Sequence, residues 1–137
     1  MPILVDSGPI VADADRRDAA HGRVRGFLDQ VDEPLLVPIT VLPEVCHLLE
    51  RQLGSRAEVA FVESLVRGEL RVQPISVADL ERAAQLMTHY LDLPLGFVDS
   101  TVIALAERLN ITRIRTLDHR HFTVVRPRHT PAFELLP

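Results

Sequence analysis

Apolar residues fall into two rhythms along this chain. Short runs at residues 3–6 (ILVD), 35–38 (LLVP), 70–75 (LRVQPI) and 113–117 (RIRTL) have the length and composition of strands. Val124-Val125-Arg126 adds a short fifth strand before a Pro-rich tail. Between the runs the apolar positions take a helical period. Val98, Val102, Leu105, Ala106 and Leu109 recur at i, i+4, i+7, i+8 and i+11, which is one buried helix face. Val24, Phe27, Leu28 and Val31 give a face to a helix over 18–31, and Val41, Val45, Leu48 and Leu49 to one over 41–53. Punctuation fits this division: Ser7-Gly8-Pro9 is a turn with helix-start chemistry, and Thr40 serves as N-cap of the second helix. Ser55 caps a helix that ends near Gly68, Ser76 caps one over 77–91, and 92–96 is a loop.

Strands that alternate with helices imply right-handed βαβ units and a parallel sheet flanked by helices. In such a sheet ligands bind outside the carboxyl ends of the strands, where the helix N-termini also gather. That edge collects four acids distant in sequence. Asp6 ends the first strand, Glu44 lies in the first turn of the helix after the second, Asp99 in the first turn of its own helix, and Asp118 ends the fourth strand. Each has an ordinary explanation taken alone: helix caps for Asp6 and Asp99, a solvated helix acid for Glu44, an Asx turn for Asp118. Together they are harder to dismiss. Two unit charges roughly 5 Å apart repel by on the order of 3 kcal/mol at an effective dielectric of 20. Four carboxylates in one crevice therefore call for protons or cations, and an all-oxygen set suits Mg²⁺ or Mn²⁺.

Composition narrows the chemistry. All 15 basic residues are arginine, which removes P-loop, Schiff-base and lysine-dependent phosphoryl-transfer mechanisms. The same absence argues against a response-regulator receiver domain and a haloacid-dehalogenase phosphatase, the nearest α/β rivals with an acidic pocket. Net charge is −4, with five Phe, one Tyr and no Trp, so neither a broad basic surface nor a base-stacking platform is evident. The 137 residues, 47% of them hydrophobic, fit one domain with a proper core. No apolar run approaches the roughly 18 residues of a membrane span, and the start MPILVDSG lacks signal-peptide features. The expected location is the cytoplasm. Cys46, the only cysteine, reads as a buried, reduced thiol.

Ile3-Leu4-Val5-Asp6-Ser7, Pro43-Glu44, Pro94-Leu95-Gly96-Phe97-Val98-Asp99-Ser100 and Thr116-Leu117-Asp118 with Phe122 together resemble the PIN-domain ribonucleases. More narrowly, they are similar to the VapC toxins of bacterial toxin–antitoxin pairs. The similarity runs through Pro127-Arg128-His129 and Phe133. It implies a single PIN domain over 1–137, a three-layer α/β sandwich with a mostly parallel sheet of four to five strands flanked by helices. It also implies Mg²⁺- or Mn²⁺-dependent endonucleolytic cleavage of RNA, with Asp6 and Asp99 as metal ligands and Glu44 and Asp118 completing the catalytic set. Thr116 and Ser7 would support them by hydrogen bonds. The partners implied are an RNA substrate, a VapB-type antitoxin whose arginine enters the acidic crevice, and a second copy in a homodimer, with helices in the 41–66 region offering apolar surface. A catalytically inactive module that binds RNA or protein through the same crevice is the alternative.

Other residues invite chemistry more weakly. His119 and His121 form an H-x-H, but without a firm third ligand they read as a solvated turn rather than a zinc site. Asp13 and Asp15 form a D-x-D that follows no strand, and Asp92 caps a loop. Arg16, Arg17, Arg23 and Arg25 make the densest basic patch, read as a solvated helix face.

Overall fold

The computed structural model covers residues 1–137 and is an α/β sandwich. In chain order it runs β1 (Ile3–Val5), α1 (Ser7–Ala14), α2 (His21–Leu28), β2 (Leu35–Pro38), α3 (Leu42–Leu53), α4 (Ser55–Val66), β3 (Arg71–Gln73), α5 (Val77–His89), α6 (Phe97–Leu109), β4 (Arg113–Arg115), α7 (His119–Val124) and β5 (Glu134–Leu136). The five strands form one parallel sheet in the order β3-β2-β1-β4-β5. β1 is its centre: Ile3 pairs with Leu35 on one side and Leu4 with Ile114 on the other, and all three β1 residues are fully buried. A strand covered on both faces must be apolar throughout, which is why ILV reads as a run and not as an alternation.

α6 follows the same logic. Its residues Ser100–Ala106 are all buried, so the helix lies in the interior and not on a solvated face. The sheet grows outward from β1 through β2 and β3, then the chain returns to place β4 on the other side of β1. The β1/β4 boundary is therefore the topological switch point, where the loops after the two strands diverge and leave a crevice. No helix is long and apolar enough to cross a membrane.

Several sequence expectations are corrected. Residues 7–14 form a helix and not only a turn, because Pro9 sits in the first turn, where its missing N–H costs nothing. The helix expected over 18–31 is confined to His21–Leu28. Thr40 is not an N-cap: it lies in a 3₁₀ turn, Ile39–Val41, that leads into α3, and its hydroxyl pairs instead with Thr101 at 2.7 Å. Ser55 makes no capping bond, since the break between α3 and α4 falls on Gly54 at φ +93°, a left-handed conformation that favours glycine. Ser76 does cap α5, in a reciprocal capping box with Asp79. The fifth strand is Glu134–Leu136. Val124 ends α7 instead, while Phe122 and Val125 turn into the core and Phe122 meets Phe133 edge-on. Cys46 is partly buried, and burial raises its thiol pKa.

Candidate metal centre

Asp6 follows β1 directly and stands at the N-cap of α1. It is only 7% exposed, and its Oδ2 accepts a 3.0 Å hydrogen bond from the fully buried Thr116 hydroxyl. The same hydroxyl accepts from the Asp118 backbone N–H at 2.9 Å. Thr116 therefore ties the loop after β4 to the loop after β1. Gly8 allows this closeness, because a Cβ there would meet the Leu117 side chain at 3.2–3.4 Å. Asp118 is the N-cap of α7 and accepts from residue His121 twice, from its backbone N–H at 3.3 Å and at Nδ1 at 2.7 Å. Asp99 enters from the first turn of α6, its Oδ2 4.0 Å from the same Nδ1. Glu44, in the first turn of α3, is exposed and faces the others through its charge.

Electrostatics mark the crevice as unfinished. Burial raises the Asp6 pKa, and the charges of Glu44 and Asp118 add to this against the hydrogen bonds of Ser7 and Thr116. Burial and then the charges of Asp6 and Asp118 push Asp99 up to about 6, with His121 opposing and Glu44 adding. No arginine pairs with either acid within 4.0 Å, and the one basic side chain near Asp99 is His121. One donor atom each from Asp99, Asp118 and His121 lies within 4.8 Å of the other two. Carboxylates held this close, with an imidazole and no arginine paired to them, fit a divalent cation.

The four acids from the sequence analysis thus converge, with Asp6 at the end of β1 and Asp99 at the start of α6 as expected. Asp118 does not end a strand: β4 stops at Arg115, and Asp118 reaches the crevice as the N-cap of α7. His121 corrects the reading of the H-x-H as a solvated turn. Residues 119–124 are helical, and the i,i+3 spacing folds His121 back onto its own N-cap, whereas His119 stays exposed. The signal was present as Asp118-x-x-His121, the N-cap-to-N3 spacing of a capping box. The remaining candidates are spent elsewhere. Asp13 pairs with Arg25 at 2.9 Å, Asp15 holds Arg17 through its backbone N–H at 3.0 Å, and Asp92, Arg16 and Arg23 are exposed.

Comparison with known proteins decides the family. The PIN-domain model matches residues 3–126. The chain belongs to the PIN-domain family. It is of the VapC type: it is 30% identical over 135 residues to ribonuclease VapC26 of Mycobacterium tuberculosis, covering 98% of this chain and 100% of that protein. The PIN fold also superimposes on M. tuberculosis VapC20, described as a sarcin–ricin loop cleaving toxin, with a TM-score of 0.76 at 25% identity over 82% of this chain and 86% of that one. VapBC2 from Rickettsia felis, bound to promoter DNA, matches with a TM-score of 0.68 at 14% identity, over 98% and 97% of the two chains.

Proposed function

We propose that this VapC-type protein is a metal-dependent endoribonuclease and the toxic component of a toxin–antitoxin pair. The observation that carries the reading is the group of acids at the β1/β4 switch point, where burial and then mutual repulsion hold Asp99 at about 6 and the only basic side chain within 4.0 Å of Asp99 or Asp118 is His121. Asp6 and Asp99 would hold Mg²⁺, or Mn²⁺ in its place, with Glu44 and Asp118 completing the site directly or through water. When bound, such an ion lowers the pKa of a water molecule and stabilises charge on a phosphate. The chain's own part is to orient: Thr116 fixes Asp6 and the Asp118 backbone, and burial holds Asp6 in one place at the end of β1. Water would then be the nucleophile and the 3′-oxygen the leaving group, which takes up a proton as the P–O3′ bond breaks, so the products would carry a 5′-phosphate and a 3′-hydroxyl. A structured RNA is the expected substrate, in line with the loop-cleaving description of VapC20.

The antitoxin reading is supported by the nature of the crevice, which would receive an arginine through charge-assisted contacts. It is also supported by apolar surface. A groove of about 520 Å³ is lined by Leu49, Leu53, Ala57 and Phe61 of α3 and α4, and α4 exposes Val59, Val62 and Val66. The same surface would serve a homodimer.

The test is cleavage of a structured RNA in Mg²⁺, in Mn²⁺ and in EDTA, by wild type and by Asp6→Asn and Asp99→Asn. Metal-dependent cutting that both variants lose, with 5′-phosphate ends, is the expected result. Products ending in a 2′,3′-cyclic phosphate would mean attack by the RNA's own 2′-hydroxyl and would sink the mechanism. RNA binding without cutting would leave only a binding module.

A further inference from the structure

His121 is the one titratable side chain at the crevice that the four-acid reading does not use. Its Nδ1 lies 2.7 Å from Asp118 Oδ2 and 4.0 Å from Asp99 Oδ2. Donors placed octahedrally about 2.1 Å from an ion stand about 3.0 Å apart along an edge and about 4.2 Å apart across the centre. The imidazole therefore keeps nearly an edge distance to one carboxylate and nearly a diameter to the other. Orienting Asp118 alone requires only the shorter contact. The approach to Asp99, which comes from a different helix, is what a shared ion would account for.

We propose that His121 is a direct nitrogen ligand of the divalent cation, sharing it with Asp99 and Asp118, and that this nitrogen makes the site prefer a first-row transition-metal ion to Mg²⁺. The inference rests on the reading of the acids as a metal site. Ligation through Nδ1 places the ring proton on Nε2, so the 2.7 Å contact becomes that of two neighbouring ligands and ceases to be a hydrogen bond. Imidazole is a softer donor than carboxylate or water, and strongly hydrated Mg²⁺ gains little from it, whereas ions later in the first row gain more. His119, exposed on the same short helix, takes no part.

Mn²⁺ is the probe, because its binding and its ligands can be read without any activity assay. Pulsed EPR of the Mn²⁺-loaded wild-type protein should show ¹⁴N modulation from a coordinated imidazole, retained in His119→Gln and lost in His121→Phe. Titration should give His121→Phe about a tenfold or greater loss of Mn²⁺ affinity, at least the loss typical of outer-shell residues, with Mg²⁺ affinity changed far less. Mn²⁺ binding that Asp99→Asn abolishes, but without ¹⁴N modulation, would overturn the proposal and leave the acid site standing. His121 would then be an imidazolium bridging two carboxylates. Binding indifferent to Asp99→Asn would overturn both readings. The wild-type spectrum decides even if His121→Phe does not fold.

Discussion

Asp79 and Asp99 occupy equivalent places, each in the first turn of one of two helices, α5 and α6, that pack against each other. Their surroundings are opposite. Asp79 is 2% exposed, yet Arg108 meets both of its oxygens at 2.9–3.1 Å and the Ser76 N–H adds a 2.9 Å bond. Burial works to raise its pKa, but the bonds from Arg108 and Ser76 outweigh it and hold the carboxyl below the usual range. At Asp99 burial also raises the pKa, and the neighbours are acids that add to it, so the carboxyl rises to about 6. Glu107, near the other end of α6, shows the same closure by an arginine, with Arg82 at 2.7 Å and the Arg128 backbone N–H at 2.8 Å. An acid at a helix start is thus spent on structure when an arginine closes it. It stays available for chemistry when other acids keep it open.

The largest expected effect separates the two aspartates by activity. Asp99→Asn should lower RNA cleavage by on the order of a hundredfold or more, since the charge stabilisation a metal supplies amounts to several kcal/mol. Its melting temperature in EDTA should stay level or rise, and the increment added by Mg²⁺ should vanish. An intact Mg²⁺ increment with intact cleavage would return Asp99 to the role of a cap.

Asp79→Ala should do the reverse. It strands Arg108 and breaks the capping box, at a cost of about 2–4 kcal/mol by denaturant melts, while cleavage per folded molecule is unchanged. A loss below about 0.5 kcal/mol would show that the ion pair holds nothing.

A pH series in EDTA sharpens the contrast. The folded value of Asp99, about 6, exceeds the ordinary value of about 3.9. Its contribution to stability is therefore full below about pH 4 and is lost as pH rises through 6. Asp79 runs the other way: its contribution is present above about pH 4 and fades as pH falls through its depressed folded value. The stability of Asp99→Asn relative to wild type should accordingly grow by about 1–3 kcal/mol between pH 4 and 7. A flat difference would count against the raised Asp99 pKa that burial and the neighbouring acids produce.

The smallest effect is expected at Thr116. Thr116→Val removes the bond to Asp6 and leaves the Asp118 N–H without its acceptor, costing about 1–2 kcal/mol in thermal or chemical melts. Wild-type stability in that variant would mean the hydroxyl is replaceable by water.

Much of this was legible because parallel α/β order is a strong rule. Asp6, Glu44, Asp99 and Asp118 could be brought together knowing only which residues end strands or begin helices. His121 could not, since its place depends on whether residues 119–124 coil into a helix, and two valines at 124–125 read equally well as a strand. The true fifth strand escaped notice because Glu134–Leu136 carries little strand signal of its own and is fixed by pairing with β4. Thr40 looks like a cap by type, yet Thr101 across the fold claims its hydroxyl.

The central position of β1 also sets a timetable. Asp6 and the Thr116 that holds it are 110 residues apart, so a ribosome working at about 5–20 residues per second needs roughly 5–20 s between making the first and making the second. Through that interval β1 lacks one of its two neighbours, and slow, non-local pairing is the rule for such sheets. The acids cannot gather until β4 emerges, and a chain cut off before residue 118 contains only part of the site. The candidate metal centre is therefore incomplete for nearly the whole of the chain's synthesis.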